Sequence, residues 1–308
     1  MGGYNVRERR RLNRRGKIAV SILLTIIIVL LSGLVGDNEM KAEKENESNI
    51  ENAIEMISFS TEPVAAFSDS TLSQSIMKKE AEKREVARKK EVAEQNKLDQ
   101  QEHAIYLTFD DGPTNVSDEL LDILHDYGMV ATFFMIGPKI QQYPEVVQRM
   151  QKEGSALGLH GVTHDVKKIY SGSSAPSEEM IETQKILEDV TGVHSELIRL
   201  PYGSFPYLTE DMRYLLDHNN FKVWDWNVDS FDWKFSNSQY VQHTIQLIQE
   251  IEQSGVTPVV LLHDTQETVK HLPKLLSYIK EQGYETKILT DDMPPLTFPC
   301  NGQCRSVN

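Results

Sequence analysis

Short apolar runs alternate with amphipathic segments along the last two thirds of the chain. AIYLTF (104–109) is followed by SDELLDILHDYG (117–128), VATFFMIG (130–137) by PEVVQRMQKEG (144–154), and SALGLH (155–160), after a loop, by SEEMIETQKILEDVTG (177–192). SELIRLP (195–201) precedes TEDMRYLLDHNN (209–220), KVWDWNV (222–228) precedes SQYVQHTIQLIQEIEQSG (238–255), and PVVLLH (258–263) precedes VKHLPKLLSYIKEQG (269–283). ETKILT (285–290) reads as a last short strand. Bounded apolar runs of this length predict buried strands, and the segments between them predict helices. Gly128, Gly154, Gly192, Gly255 and Gly283 fall at or just after the helix ends, where a left-handed residue stops a helix. Repeated βα order predicts a mainly parallel sheet with helical cover. About seven strands predict a closed or nearly closed barrel rather than an open sheet.

The first third has a different pattern. Arg7, Arg9, Arg10, Arg11, Arg14, Arg15 and Lys17 make residues 1–17 a basic tail, and residues 18–35 are uncharged and dominated by Ile, Leu and Val. Such a run is just long enough to span a bilayer, and basic residues ahead of it keep the N-terminus cytoplasmic and the rest outside. With no A-x-A site after it, the run reads as an uncleaved single-pass anchor rather than a cleaved signal peptide. Residues 36–102 are polar: EKENESNIEN reads as disordered, and residues 76–101 as a helix with mixed charges at i, i+4 spacing. Its apolar positions (Ile76, Val86, Val92, Leu98) are too sparse for a coiled coil, so a solvated stalk is expected, carrying a globular domain over 103–308.

Charge and cysteine content refine this. The net charge is −14 over 308 residues despite the basic start, which argues against a nucleic-acid partner. Cys300 and Cys304 are the two cysteines. Outside the membrane they form either a small loop disulfide or two free thiols.

Chemically able side chains gather where the apolar runs end. AIYLTF runs into Asp110 and Asp111, SALGL into His160 and His164, and ELIRL into Arg199, Pro201 and Tyr202. KVWDWNVDSFDW carries Asp229, Asp232 and Trp233, and PVVLLHD carries His263 and Asp264. The C-terminal ends of parallel barrel strands are where such folds build active sites. His160 and His164 have the i, i+4 spacing of metal-binding pairs. Asp110 and Asp111 are adjacent, so on an extended segment they point oppositely, one toward a metal and the other toward substrate.

In this order and spacing, TFDDGP, His-x-x-x-His, RLPYG, DSFDW and LLHD resemble the polysaccharide deacetylases of carbohydrate esterase family 4, the NodB-homology domain, over about Ala104 to Thr290. The resemblance implies a distorted (β/α) barrel and hydrolysis of acetyl groups on sugars. It implies Asp110 as catalytic base, with Asp111, His160 and His164 as ligands of one divalent ion, zinc or else cobalt, iron or another metal. His263 becomes the general acid paired with Asp232, and Arg199 the partner of Asp110. The backbone N–H of Tyr202, after Pro201, becomes the oxyanion donor, and Leu261 and Trp233 the pocket for the acetyl methyl. Asp229 and Asp264 receive no role. One departure stands out: Gly161 follows His160 where the family usually has Ser or Thr, with Thr163 as the candidate substitute. With an anchor and stalk, the expected substrate is peptidoglycan outside the cell, at N-acetylglucosamine or N-acetylmuramic acid. Chitin oligomers, an exopolysaccharide or O-acetylated xylan are the enzymatic alternatives. An inactive wall-binding protein is the alternative of another class.

Overall fold

The computed structural model describes residues 70–235 and 237–299. The basic tail, the apolar run 18–35, the first part of the stalk, Cys300 and Cys304 lie outside the described residues. Among the described residues no helix is long and apolar enough to cross a membrane.

Helix α1 (Ser70–Gln101) leads into β1 (Ala104–Gly112), after which strands and helices alternate: α2 (Ser117–Tyr127), β2 (Thr132–Met135), α3 (Gly137–Gln142), α4 (Pro144–Lys152), β3 (Ala156–Leu159), α5 (Val166–Ile169), α6 (Ala175–Thr191), β4 (Leu197–Ile198) and α7 (Glu210–His218). The order continues with β5 (Lys222–Val223), β6 (Val228–Asp229), α8 (Gln239–Gln253), β7 (Val259–His263), α9 (Gln266–Gln282) and β8 (Glu285–Lys287). The strands pair in the order β5-β4-β3-β2-β1-β7-β6, every pair parallel, and β8 adds to the start of β1. β1 is central and covered on both faces, which is why its apolar run is continuous rather than alternating. Ile105, Leu107 and Phe109 are fully buried, and Phe109 stacks on Phe133 of β2 with 5.4 Å between ring centroids. Helix α2 shows how a local pattern serves this core. Leu120, Leu121 and Leu124 form its buried stripe, Asp118 and Glu119 sit in its first turn, where the helix dipole favours negative charge, and Gly128 ends it at φ 68°.

The expected closure of the barrel needs correction. The barrel is open: its path ends at β5 and β6, and the predicted single strand KVWDWNV divides into those two elements. The backbone between them is engaged elsewhere. Arg199 donates from Nε to Trp224 O at 3.0 Å and from Nη2 to Asp225 O at 3.0 Å, and Asp225 N donates to Leu296 O at 2.7 Å. Groups so committed cannot continue a strand ladder.

The described C-terminal part of the stalk stays mostly exposed, but it also docks on the domain through a few polar side chains. Asp99, only 2% exposed, accepts from Tyr106 Oη at 3.0 Å, Asn96 Oδ1 accepts from Thr257 N at 3.2 Å, and Arg88 Nη1 donates to Pro295 O at 3.0 Å. Polar side chains make this docking, whereas Val86 and Leu98 stay exposed. An apolar-period reading is blind to such a contact.

Candidate active site

The site starts with a fault in β1. Pairing with β2 shifts register between Asp110 and Gly112, and Asp111 takes φ 69°. This left-handed residue breaks the strand alternation, so the two carboxylates do not point oppositely as an extended segment requires. Both reach the same imidazole: His160 Nε2 lies 3.8 Å from Asp110 Oδ2 and 3.4 Å from Asp111 Oδ1. Lys139 at the start of α3 donates from Nζ to Asp111 O at 2.5 Å, bracing the left-handed residue. Arg199, fully buried after β4, donates from Nη1 to Asp110 Oδ1 at 2.9 Å and to Thr108 Oγ1 at 2.6 Å. With Trp224 O and Asp225 O also accepting, this guanidinium has the hydrogen-bonded partners that a buried charge requires.

His160 and His164 complete the cluster. His160 Nδ1 donates to Arg199 O at 2.7 Å, which leaves Nε2 facing Asp111. His164 Nε2 lies 3.1 Å from Asp111 Oδ1. One ligand atom from each of Asp111, His160 and His164 falls within 4.8 Å of the others. Asp111 Oδ1 is buried and has no hydrogen-bond partner. A buried carboxylate oxygen among inward-facing imidazole nitrogens is a site that a cation would satisfy. The donor set, two nitrogens and one oxygen, suits a divalent ion such as zinc. Burial raises the pKa of Asp111, but the two histidines outweigh it and hold the group well below the usual carboxylate range. Burial lowers that of His164, but Asp111 outweighs it and the net shift is upward.

His263 ends β7. Its Nδ1 pairs with Asp232 Oδ1 at 2.7 Å, and its backbone N donates to Asp232 Oδ2 at 2.7 Å. Thr268 Oγ1 donates to Asp232 Oδ2 at 2.6 Å, so Asp232 is fixed from three sides. Burial disfavours the imidazolium, but the Asp232 hydrogen bond and charge, with Asp110 and Asp111 beyond, push His263 up to about 9. Nε2 is left to carry the mobile proton.

The remaining expected residues divide. Tyr202, at φ 67°, donates from Oη to His164 O at 3.0 Å, and Pro201 O accepts from Tyr170 Oη at 3.0 Å. Leu261 is buried on β7, whereas Trp233 is 60% exposed and edge-on to Phe231. Asp264 braces the turn after β1, accepting from Thr114 Oγ1 at 2.9 Å and from Ser117 Oγ. A Cβ on Gly112 would meet its Oδ2 at 2.6 Å, which accounts for glycine in the DDGP turn. Asp229 Oδ1 accepts from Phe231 N at 2.9 Å and shapes the turn that delivers Asp232.

Three residues near the site escaped the sequence reading. Besides Lys139, Asp225 is fully buried and accepts from Ser204 N at 2.9 Å, Ser204 Oγ at 2.5 Å and Phe298 N at 2.6 Å, behind the Tyr202 loop. Its signal was a carboxylate inside an apolar run. Glu179, on α6, accepts from the loop joining the two histidines. In the sequence it is one of several acidic residues on a helix, with nothing to single it out.

Comparison with known proteins fits this geometry. The family model for polysaccharide deacetylase matches residues 97–224. The chain is 43% identical over 204 residues to a putative polysaccharide deacetylase, YheN, of Bacillus subtilis, covering 66% of this chain and 72% of the relative. It is 36% identical over 199 residues to a peptidoglycan-N-acetylglucosamine deacetylase of Bacillus cereus, covering 64% and 71%. Among solved structures, the polysaccharide deacetylase Bc1974 from Bacillus cereus superposes with a TM-score of 0.57 at 35% identity, covering 64% of this chain and 97% of that one.

Proposed function

The chain belongs to the polysaccharide deacetylase family, and on that basis we propose that it is a metal-dependent hydrolase of the acetamido groups of peptidoglycan amino sugars, held outside the cell by its N-terminal apolar segment. The observation that carries the chemistry is the convergence of Asp110, Asp111, His160, His164 and His263 at the ends of β1, β3 and β7. The substrate class is supported by the similarity to a peptidoglycan-N-acetylglucosamine deacetylase.

Asp111, His160 and His164 would hold a divalent ion, and their donor set suits zinc. When bound, it supplies Lewis acidity toward the acetyl carbonyl and makes water a better nucleophile. Arg199 occupies Asp110 Oδ1 and leaves Oδ2 toward the site. Asp110 takes the proton of the attacking water. The backbone N–H of Tyr202 receives the oxyanion. His263, protonated up to about pH 9, gives its Nε2 proton to the departing nitrogen. The carbon–nitrogen bond breaks, and acetate and a free amine result. Leu261 and Trp233 flank the acetyl methyl.

The test is to incubate the full chain with peptidoglycan and with chitin oligomers and to locate new free amines by mass spectrometry. A free amine on a peptidoglycan sugar supports the reading. Amines on chitin oligomers alone, or none on either, refute it.

A further inference from the structure

We infer that Glu179 is a positioning residue for the metal centre, setting the place of His164 through the loop backbone; this rests on the metal site proposed above. His160 is held by its own ring, through Nδ1 to Arg199 O at 2.7 Å. His164 is placed differently: its carbonyl is tied to Tyr202 Oη at 3.0 Å, and the chain before it is tied to Glu179.

The loop between the histidines turns at Gly161, at φ 81°, and then presents two successive backbone N–H groups. Successive N–H groups after a left-handed residue form an anion-binding concavity. Glu179 fills it. Oε2 accepts from Val162 N at 2.9 Å and Thr163 N at 3.0 Å, and Oε1 accepts from Thr163 Oγ1 at 2.6 Å. Charge-assisted bonds of this kind are stronger than neutral ones. The same carboxylate accounts for the residue at 161. A Cβ there would meet Glu179 Oε2 at 2.9 Å and Ile169 Cδ1 at 3.3 Å, in a backbone conformation that already disfavours a side chain. Glu179 and Gly161 thus form one device: the carboxylate from α6 braces the loop, and a side chain at 161 would crowd that carboxylate out of place.

The experiment measures zinc dissociation constants by chelator competition on the full chain, stripped of metal and reloaded, for wild type, Glu179→Ala, Glu179→Gln and Gly161→Ser. Loss of a group that orients metal ligands weakens binding by about 10–100-fold, and that is the expectation for Glu179→Ala. Glu179→Gln, which keeps one acceptor oxygen, falls between it and wild type. Gly161→Ser weakens binding by crowding the carboxylate. The visible spectrum of the cobalt-loaded Glu179→Ala protein changes, because His164 moves. A wild-type constant and an unchanged cobalt spectrum in Glu179→Ala, even with a lowered melting temperature of the metal-free protein, overturn the proposal. Should Glu179→Ala fail to fold, wild-type affinity in Glu179→Gln together with Gly161→Ser overturns it equally. Absence of metal in the wild-type protein refutes the metal site itself, and this role with it.

Discussion

Asp110 and His263 are in register across the parallel pair β1–β7. Side chains in register on parallel neighbours project to the same side of a sheet. One ladder contact therefore places the proposed base and the proposed acid together at the sheet's C-terminal edge. A slip of one residue would send one of them to the opposite face.

Asp110→Asn tests the base. The amide cannot accept a proton from water, and general acid–base groups contribute about 10²–10⁴-fold. Turnover should fall by that factor while bound zinc, measured by elemental analysis, stays at the wild-type level. Near-normal turnover with saturating metal would remove Asp110 from this role.

The acid makes a pH prediction. In its proposed role His263 acts when protonated, and it is pushed up to about 9, so the alkaline limb of kcat/KM should fall as pH rises through that region. Asp232→Asn removes the charge that favours the imidazolium, and an opposite charge at this range typically moves such a group by about 1–3 pH units. The limb should move to lower pH by that amount. The same pair links stability to pH. Its contribution is full below the ordinary histidine value of about 6.5 and is lost as pH rises from there through about 9. Denaturant midpoints across this interval should decline less in Asp232→Asn than in wild type.

Arg199→Lys is expected to be severe despite the kept charge. Five donors in a fixed fork serve Thr108, Asp110, Trp224 O and Asp225 O, and an ammonium cannot reach all four. Breaking a buried pair costs about 3–5 kcal/mol, so chemical denaturation should show a loss approaching that range, with activity falling in parallel. Wild-type stability would contradict the need for all four of these contacts.

The anchor is tested by the mature N-terminus. The basic run and the apolar segment 18–35 without a cleavage site predict a membrane-bound protein that keeps both. A protein recovered from the medium and starting beyond Val35 would refute it.

The alternation of apolar runs and amphipathic helices carries the barrel, because strands buried on both faces need continuous apolar sequence. The site was legible because barrel chemistry gathers at strand ends, and Asp110, His160, Arg199 and His263 stand there. What escaped was decided by backbone and long-range contacts. The split of KVWDWNV follows from carbonyls claimed by Arg199, a partner 25 and 26 residues away. The docking of α1 uses polar side chains, and Glu179 reads Val162 and Thr163 from 17 and 16 residues away. None of these leaves a periodic trace. The common facing of Asp110 and Asp111 depends on a left-handed Asp111, which composition cannot announce.

The most direct test of the central claim is acetate release from N-acetylated peptidoglycan by the full chain, measured metal-free, reloaded with zinc, and as His164→Ala with zinc. The account predicts stoichiometric acetate and free amine from the reloaded protein alone, with the metal-free protein and His164→Ala near background. Equal release from all three, or none from the reloaded wild-type protein, would contradict it.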